Sequence, residues 1–382
     1  MKTLGEIFEI GSGGTPSKSH PEYYDGNIPW VKTGDLKDEY LYSVEDCISE
    51  EGLNNSSAKM YPSGTVLLAM YGATIGATSI LKFDACTNQA CAAFKPCEEV
   101  LPEYLYFFLR SKKQKFISDG VGGAQPNISA GYLKKVSIDI RNIKEQEKIV
   151  TVLDKLNGII QKRQKEIDEL NELIKARFVE MFGDPEVNSM DWPEAIIGDN
   201  CFVTKLAGFE YTKYINYEDT GDVVMVKAQN VKNGVLNEKD LSYISNEVSD
   251  SLPRSQLAPG DVVMTYVGAN IGDVAIIDDR HKYHLAPNVA KIRPDAEKYD
   301  SMFFMHMLMM KTDYIMRNSA DTAKAALGME RIRKLNVFLP PIELQAQFSE
   351  FVKQVDKSKV VVQKSLDETQ KLFDSLMQQY FG

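Results

Sequence analysis

The stretch IKEQEKIVTVLDKLNGIIQKRQKEIDELNELIKARFVEMFG, residues 143–183, sets the architecture of the chain. Ile149, Leu153, Leu156, Ile160, Ile167, Leu170, Ile174 and Met181 recur in alternating steps of four and three, with Arg163 and Arg177 at the two remaining positions of the series. This is a heptad, the pattern of a helix that packs along one narrow stripe. No proline interrupts it, and the single Gly158 costs about 1 kcal/mol relative to alanine, so one helix of about 60 Å is expected. A stripe of that length needs a partner helix.

The partner lies 199 residues further on. Residues 342–382, IELQAQFSEFVKQVDKSKVVVQKSLDETQKLFDSLMQQYFG, place Phe348, Val352, Val355, Val362, Leu366, Phe373, Leu376 and Tyr380 at the equivalent positions, with Lys359 and Thr369 as departures. Gln345 repeats Gln146, and Phe381-Gly382 repeats Phe182-Gly183. Two matched heptad helices in one chain most simply pack on one another, with one globular domain before the first and a second inserted between them. Two independent homodimeric coiled coils are the alternative. The division expected is a domain at 1–142, a spacer helix at 143–184, a second domain at 185–341 and a second helix at 342–382.

The two domains repeat each other. LGEIFEI at 4–10 is answered by IGDNCFV at 197–203, and the strand-like IPWVKTGDL at 28–36 by VVMVKAQNV at 223–231. PSGTVLLAMYGATIG at 62–76 is answered by APGDVVMTYVGANIG at 258–272, which aligns Gly72 with Gly268 and Gly76 with Gly272. The aromatic stretch EYLYFFLRSKKQKF at 103–116 reads as one helix, and LKKVSIDI at 133–140 as a strand answered by the segment at 333–341. The turns differ. GGTPSK at 13–18 has no counterpart in KLAGFEYTKY at 205–214, and AQPNIS at 124–129 faces AKAALG at 323–328.

Composition limits the function. Hydrophobic residues make up 43% and aromatics 10% of the 382 residues, enough for real cores in two or three domains. The amino terminus has no apolar run of signal-peptide length, and the apolar stretch 302–310, interrupted by His306, falls far short of the ~20 residues of a membrane span, so a cytoplasmic location without membrane contact is expected. Five cysteines form no Cys-x-x-Cys pair and His281 and His284 are the only close histidines, so no metal site is expected. There is no Gly-Lys dipeptide for a P-loop, no Asn-Pro-Pro-Tyr or Asp-Pro-Pro-Tyr, no Gly-x-Gly-x-x-Gly and no Gly-x-Ser-x-Gly, so neither catalysis nor a cofactor is expected. Asp295-Ala296-Glu297-Lys298 reads as a charged loop.

Charge argues against autonomous nucleic-acid binding. The net charge is −10; residues 1–142 carry 14 basic and 17 acidic side chains, and 185–341 carry 17 and 22. Phosphate neutralisation dominates such affinity, so any DNA binding here must come from local clusters or from partner subunits.

The motifs LGEI…GGTPS, IPWVKTGDL, the Gly-x-x-x-Gly run, TNQAC at 87–91, QPNIS and the Glu-Gln heptad helix, in that order with the domain and helix duplicated, resemble the specificity subunit of type I restriction-modification enzymes. The resemblance covers essentially all of the chain. It implies an α+β fold, two similar globular α/β target-recognition domains joined by two long helices that form an antiparallel intramolecular coiled coil, a tandem repeat with pseudo-twofold symmetry. It also implies a non-catalytic subunit in which each domain reads one half of a bipartite, asymmetric double-stranded DNA site. The coiled coil would then set the spacer and dock two methyltransferase subunits, with restriction or translocase subunits as further partners. A protein-interaction scaffold with a coiled-coil core and no DNA role remains the alternative.

Candidate DNA contacts are the polar and basic residues of the matched turns. They are Thr15, Lys18, Lys32, Tyr71, Thr74, Gln89, Gln125 and Asn127 in the first domain, and Lys205, Tyr211, Lys227, Gln229, Asn270, Asn288 and Lys324 in the second. Amides pair bidentately with adenine, and lysine pairs with guanine or meets phosphate. Lys134-Lys135 and Arg333-Lys334, again 199 residues apart, are candidates for phosphate contact. Gly72, Gly76, Gly268 and Gly272 are assigned to tight turns.

Overall fold

The computed structural model describes residues 1–120, 127–317 and 326–382, with the side chains of Asp313 and Arg317 left aside. The chain divides into two compact units, one of Met1–Gln164 with Gln363–Gly382 and the other of Lys165–Val362. Each heptad stretch is one unbroken 40-residue helix, Ile143–Phe182 and Ile342–Phe381, and each helix contributes to both units.

In the first unit the amino-terminal half of the first long helix lies against the carboxyl-terminal half of the second. Ile149 and Leu153 share one core with Phe373, Met377 and Phe381. The helix Pro102–Ser111 closes that core: Tyr104 meets Phe381 edge-on at 5.0 Å between ring centres, and Phe107 meets Phe373 at 6.2 Å. The second unit uses the other two halves in the same antiparallel sense. Ile174, Phe178 and Phe182 share a core with Phe348, Val352 and Val355, and Phe303 of the helix Ser301–Met310 stacks on Phe178 at 5.6 Å. The helices therefore pair within one chain rather than as separate homodimeric coils.

The first unit carries a five-stranded sheet in the order Ile10–Ser12, Cys91–Phe94, Val66–Ala69, Thr78–Leu81, Tyr40–Leu41. A four-stranded sheet runs Cys47–Ile48, Tyr24–Val31, Ala85–Thr87, Met60–Tyr61, with a parallel pairing of Trp30 to Cys86 and Val31 to Thr87. The second unit repeats both, the first with four strands in place of five. Cys201–Lys205, Val289–Pro294, Val262–Thr265 and Val274–Ile276 form one sheet; Tyr243–Ile244, Val223–Val226, Lys282–Leu285 and Gln256–Leu257 form the other, with Val223–Val226 parallel to Lys282–Leu285.

Two local expectations change. The stretch at 103–116 is two helices, Pro102–Ser111 and Lys113–Asp119, broken at Lys112, whose ammonium donates to the carbonyl of Phe381. The expected strand at 133–140 shrinks to Ser137–Ile138, which pairs with the two-residue strand Lys2–Thr3, and Leu133 closes the helix Ala130–Leu133 instead.

Candidate nucleic-acid interface

In the first unit the glycine-rich turn is pinned from below at its backbone. Trp30 Nε1 donates to the carbonyl of Gly14 at 3.0 Å and the Tyr24 hydroxyl donates to that of Pro16. Gly13 passes so close to the carbonyl of Thr87 that any Cβ would collide with it. With the main chain held, Thr15, Ser17 and Lys18 are left exposed between the anchors.

That turn meets two of the other matched turns. The Thr15 hydroxyl donates to Gln89 Oε1, joining residues 74 apart in sequence. The Asn88 amide donates to the carbonyl of Val31 at 3.0 Å, which brings Lys32 alongside. Met70 N–H donates to Ala90 O at 2.8 Å, Ile128 N–H to Met70 O at 3.0 Å, and Tyr71 pairs with Asn127 in an isolated bridge. Thr74 donates its hydroxyl back to Tyr71 O at 3.2 Å. Thr15, Lys32, Tyr71, Thr74, Gln89 and Asn127 are thus brought together by backbone contacts and by the Thr15 and Thr74 hydroxyls, while Gln125 lies outside the described residues.

The second unit keeps the frame and changes its furniture. Tyr266 N–H donates to Asn288 O at 2.9 Å and Leu327 N–H to Tyr266 O at 2.8 Å, the counterparts of the bonds around Met70. Asn288 holds φ at 69°, a left-handed conformation that asparagine tolerates better than most residues. Lys205 sets its ammonium 5.4 Å from the Tyr266 ring centre. Asn270 and Gln229 are exposed, and Lys324 lies outside the described residues. Gly72 and Gly268, at φ 66° and 109°, have open space where a side chain would stand, so their conformation and not crowding calls for glycine.

Several candidate cations already have protein partners. Lys32 pairs with Asp46 at 2.6 Å, and Lys227 donates to Asp240 O at 2.7 Å and Ser242 Oγ at 3.0 Å. Arg333 pairs with Glu330 at 2.6 Å and donates to Val203 O at 3.2 Å. Lys134 and Lys135 are exposed, with the carbonyl of Lys134 held by Gly5 N–H at 3.0 Å; Lys334 is exposed too.

Tyr211 is turned inward. It packs against the core of Leu206 and Ile215 from the helix Gly208–Tyr214, whose surface instead displays Phe209, Lys213 and Tyr214. The helical spacing of Tyr211 and Ile215, four apart, is the signal that separates the inner face from Phe209 and Lys213, four apart on the outer one. Among the described residues no helix is long and apolar enough to cross a membrane, and no group of three His, Cys, Asp or Glu side chains could hold a metal ion.

The sequence matches the family described as the type I restriction modification DNA specificity domain over residues 1–172 and 191–369. It is 34% identical over 187 residues to the specificity subunit of the type I restriction enzyme MjaIX of Methanocaldococcus jannaschii, covering 48% of this chain and 42% of that protein. It is 30% identical over 190 residues to the EcoR124I/EcoR124II specificity subunit of Escherichia coli, covering 45% of this chain and 47% of that one. The matched part thus spans less than half the length of either relative. A crystal structure of the S subunit of a type I restriction-modification system from M. genitalium shares the fold over 100% of this chain and 95% of its own, with a TM-score of 0.57 at 15% identity. With both repeats matched, the chain belongs to the type I restriction-modification DNA specificity family.

Proposed function

We propose that this chain is the non-catalytic DNA-recognition subunit of a type I restriction-modification complex, acting in the cytoplasm. Each globular domain, 1–142 and 185–341, reads one half of a split, asymmetric site. The helices at 143–184 and 342–382 set the spacer and dock two methyltransferase subunits, with restriction or translocase subunits as further partners. One observation carries the reading: the hydrogen-bonded frame around Met70, Ala90 and Ile128 recurs around Tyr266, Asn288 and Leu327 with different side chains on it. Two readers of different base sequences need a shared frame and private side chains, because base edges are distinguished by their donor and acceptor patterns.

In the first domain Thr15, Gln89, Tyr71, Thr74 and Asn127, with Gln125 beside them in sequence, are the proposed base contacts. Lys205, Asn270, Asn288 and Gln229 are their counterparts in the second, with Lys18, Lys134, Lys135, Lys324 and Lys334 meeting phosphate. Lys32, Lys227 and Arg333 would contact DNA only through what their existing partners leave free. The test is selection from a random DNA pool by the chain assembled with its methyltransferase subunit. A split motif with a fixed spacer, altered on one side only by Gln89→Ala with Asn127→Ala, is the expected result. An assembled complex that enriches no motif removes the DNA-reading function.

A further inference from the structure

From the chemistry of the second unit's surface we infer that the helix Gly208–Tyr214 is its specificity element, with Phe209 contacting the C5-methyl of a thymine in the DNA major groove. The inference rests on the proposed function and adds a residue and a base to it. Its starting point is strand register. Lys205 pairs with Ala290 as Ser12 pairs with Ala92, so Gly208 stands where the first unit has Thr15. The polar turn of one unit is replaced in the other by a helix.

The helix is held firmly on its inner side. Tyr211 and Ile215 face the core with Leu206, Glu210 accepts from the Ala207 amide at 3.0 Å, and Arg254 approaches Glu210 at 3.4 Å. Its outer side is aromatic and basic. Phe209 is 69% exposed, Tyr214 39% and the following Tyr217 42%, with the Lys213 ammonium 4.8 Å from the Tyr214 ring centre. One exposed apolar residue is ordinary. Two exposed aromatics and a lysine on one short helix, with Tyr217 just after it, beside Lys205 and at the reading position of the repeat, are the combination that meets a base edge and the adjoining phosphate. Seven residues make a rod about 10 Å long, and a helix enters a major groove about 12 Å wide. An apolar side chain there recognises thymine by its methyl group, the one apolar feature on any base edge in that groove.

The experiment uses the chain assembled with its methyltransferase subunit, the motif selected by the wild type, and duplexes in which deoxyuridine replaces each thymine of that motif in turn. At one thymine of one half-site, loss of the methyl is expected to weaken wild-type binding about fourfold, the worth of one buried methyl-sized group. Phe209→Ala erases that difference and relaxes the base preference at that position alone; Phe209→Leu retains most of it. Lys213→Ala weakens all sequences alike and makes the salt slope about one unit shallower. Because Phe209 is on the surface, these variants fold, which circular dichroism verifies. If Phe209→Ala leaves both half-sites and every deoxyuridine penalty unchanged, the inference is overturned while DNA reading stands. If the wild type selects no motif, the underlying reading fails.

Discussion

Gln146 and Gln345 explain why a glutamine recurs in both long helices. Gln146 accepts from Leu101 N–H at 2.9 Å and donates to the carbonyls of Glu99 and Arg141 at 2.8 Å each; Gln345 accepts from Asp300 N–H at 2.9 Å and donates to Lys298 O at 2.9 Å and Pro340 O at 2.8 Å. Every partner is shifted by the same 199 residues, so one buried amide ties the start of the domain helix to the long helix in each unit. Gln146→Leu deprives three part-buried backbone groups of their partner and is expected to cost about 1–3 kcal/mol of stability, read from urea denaturation; an unchanged midpoint would remove the role. The repetition was visible in the sequence, but its cause was not, because the partners of Gln146 reach back as far as 47 residues. His306 carries a second prediction. Burial pushes its pKa down to about 4, with Asp356 opposing and Lys359 reinforcing the shift. Its folded value lies below the unfolded one, so the unfolded chain takes up the extra proton and stability falls as pH drops from about 6.5 to 4. The loss is about 1–3 kcal/mol. The residue 199 positions earlier is the buried Phe107, so His306→Phe should fold and show a shallower decline in melting temperature over that pH range.

At the scale of elements, the long helices were legible because a heptad reports the same packing contact many times over. Every residue of both series is buried or half-buried, including Arg163, Arg177 and Lys359, whose long stems can lie along the seam with their heads outward, and Thr369, whose hydroxyl donates to the Ser365 carbonyl at 2.7 Å. Gly158 is the one local flaw. A Cβ added there meets nothing within 4 Å, and the residue is interior to a helix, so Gly158→Ala is expected to stabilise by about 0.5–1 kcal/mol and raise the melting temperature. A decrease would mean that the open space beside Gly158 serves another purpose. Short elements were less legible, since a two-residue strand such as Ser137–Ile138 is defined by its partner and not by its own alternation. The helix Gly208–Tyr214 was missed for a related reason. Its aromatics, Phe209, Tyr211 and Tyr214, do not by composition declare a buried or an exposed face, and only the phase of Tyr211 against Phe209 shows which aromatic faces solvent.

The whole chain combines a duplicated frame with an acidic balance, and under the proposed function the two together decide how it would bind DNA. Duplication leaves each unit free to vary its turns without disturbing its core, which is why the matched strands and glycines were readable while the contact residues remained a list of turn side chains. The charge then limits what those turns can do alone. At −10 overall, with Lys32, Lys227 and Arg333 engaged by protein groups, the balance of charge opposes phosphate binding by the chain alone. Sequence discrimination is therefore expected to reside on this chain and most of the phosphate neutralisation on its partner subunits. Each neutralised phosphate contributes about −0.9 to the slope of log affinity against log salt on duplex DNA. The chain alone should bind duplex in the non-specific range of about 10⁻⁴–10⁻⁶ M with a shallow slope. Adding the methyltransferase subunit should tighten binding by at least about 100-fold and steepen the slope by several units, measured by fluorescence anisotropy between about 50 and 200 mM salt. If the chain alone already shows the slope of the complex, its own turns hold the phosphates, and the division of labour between subunits is wrong.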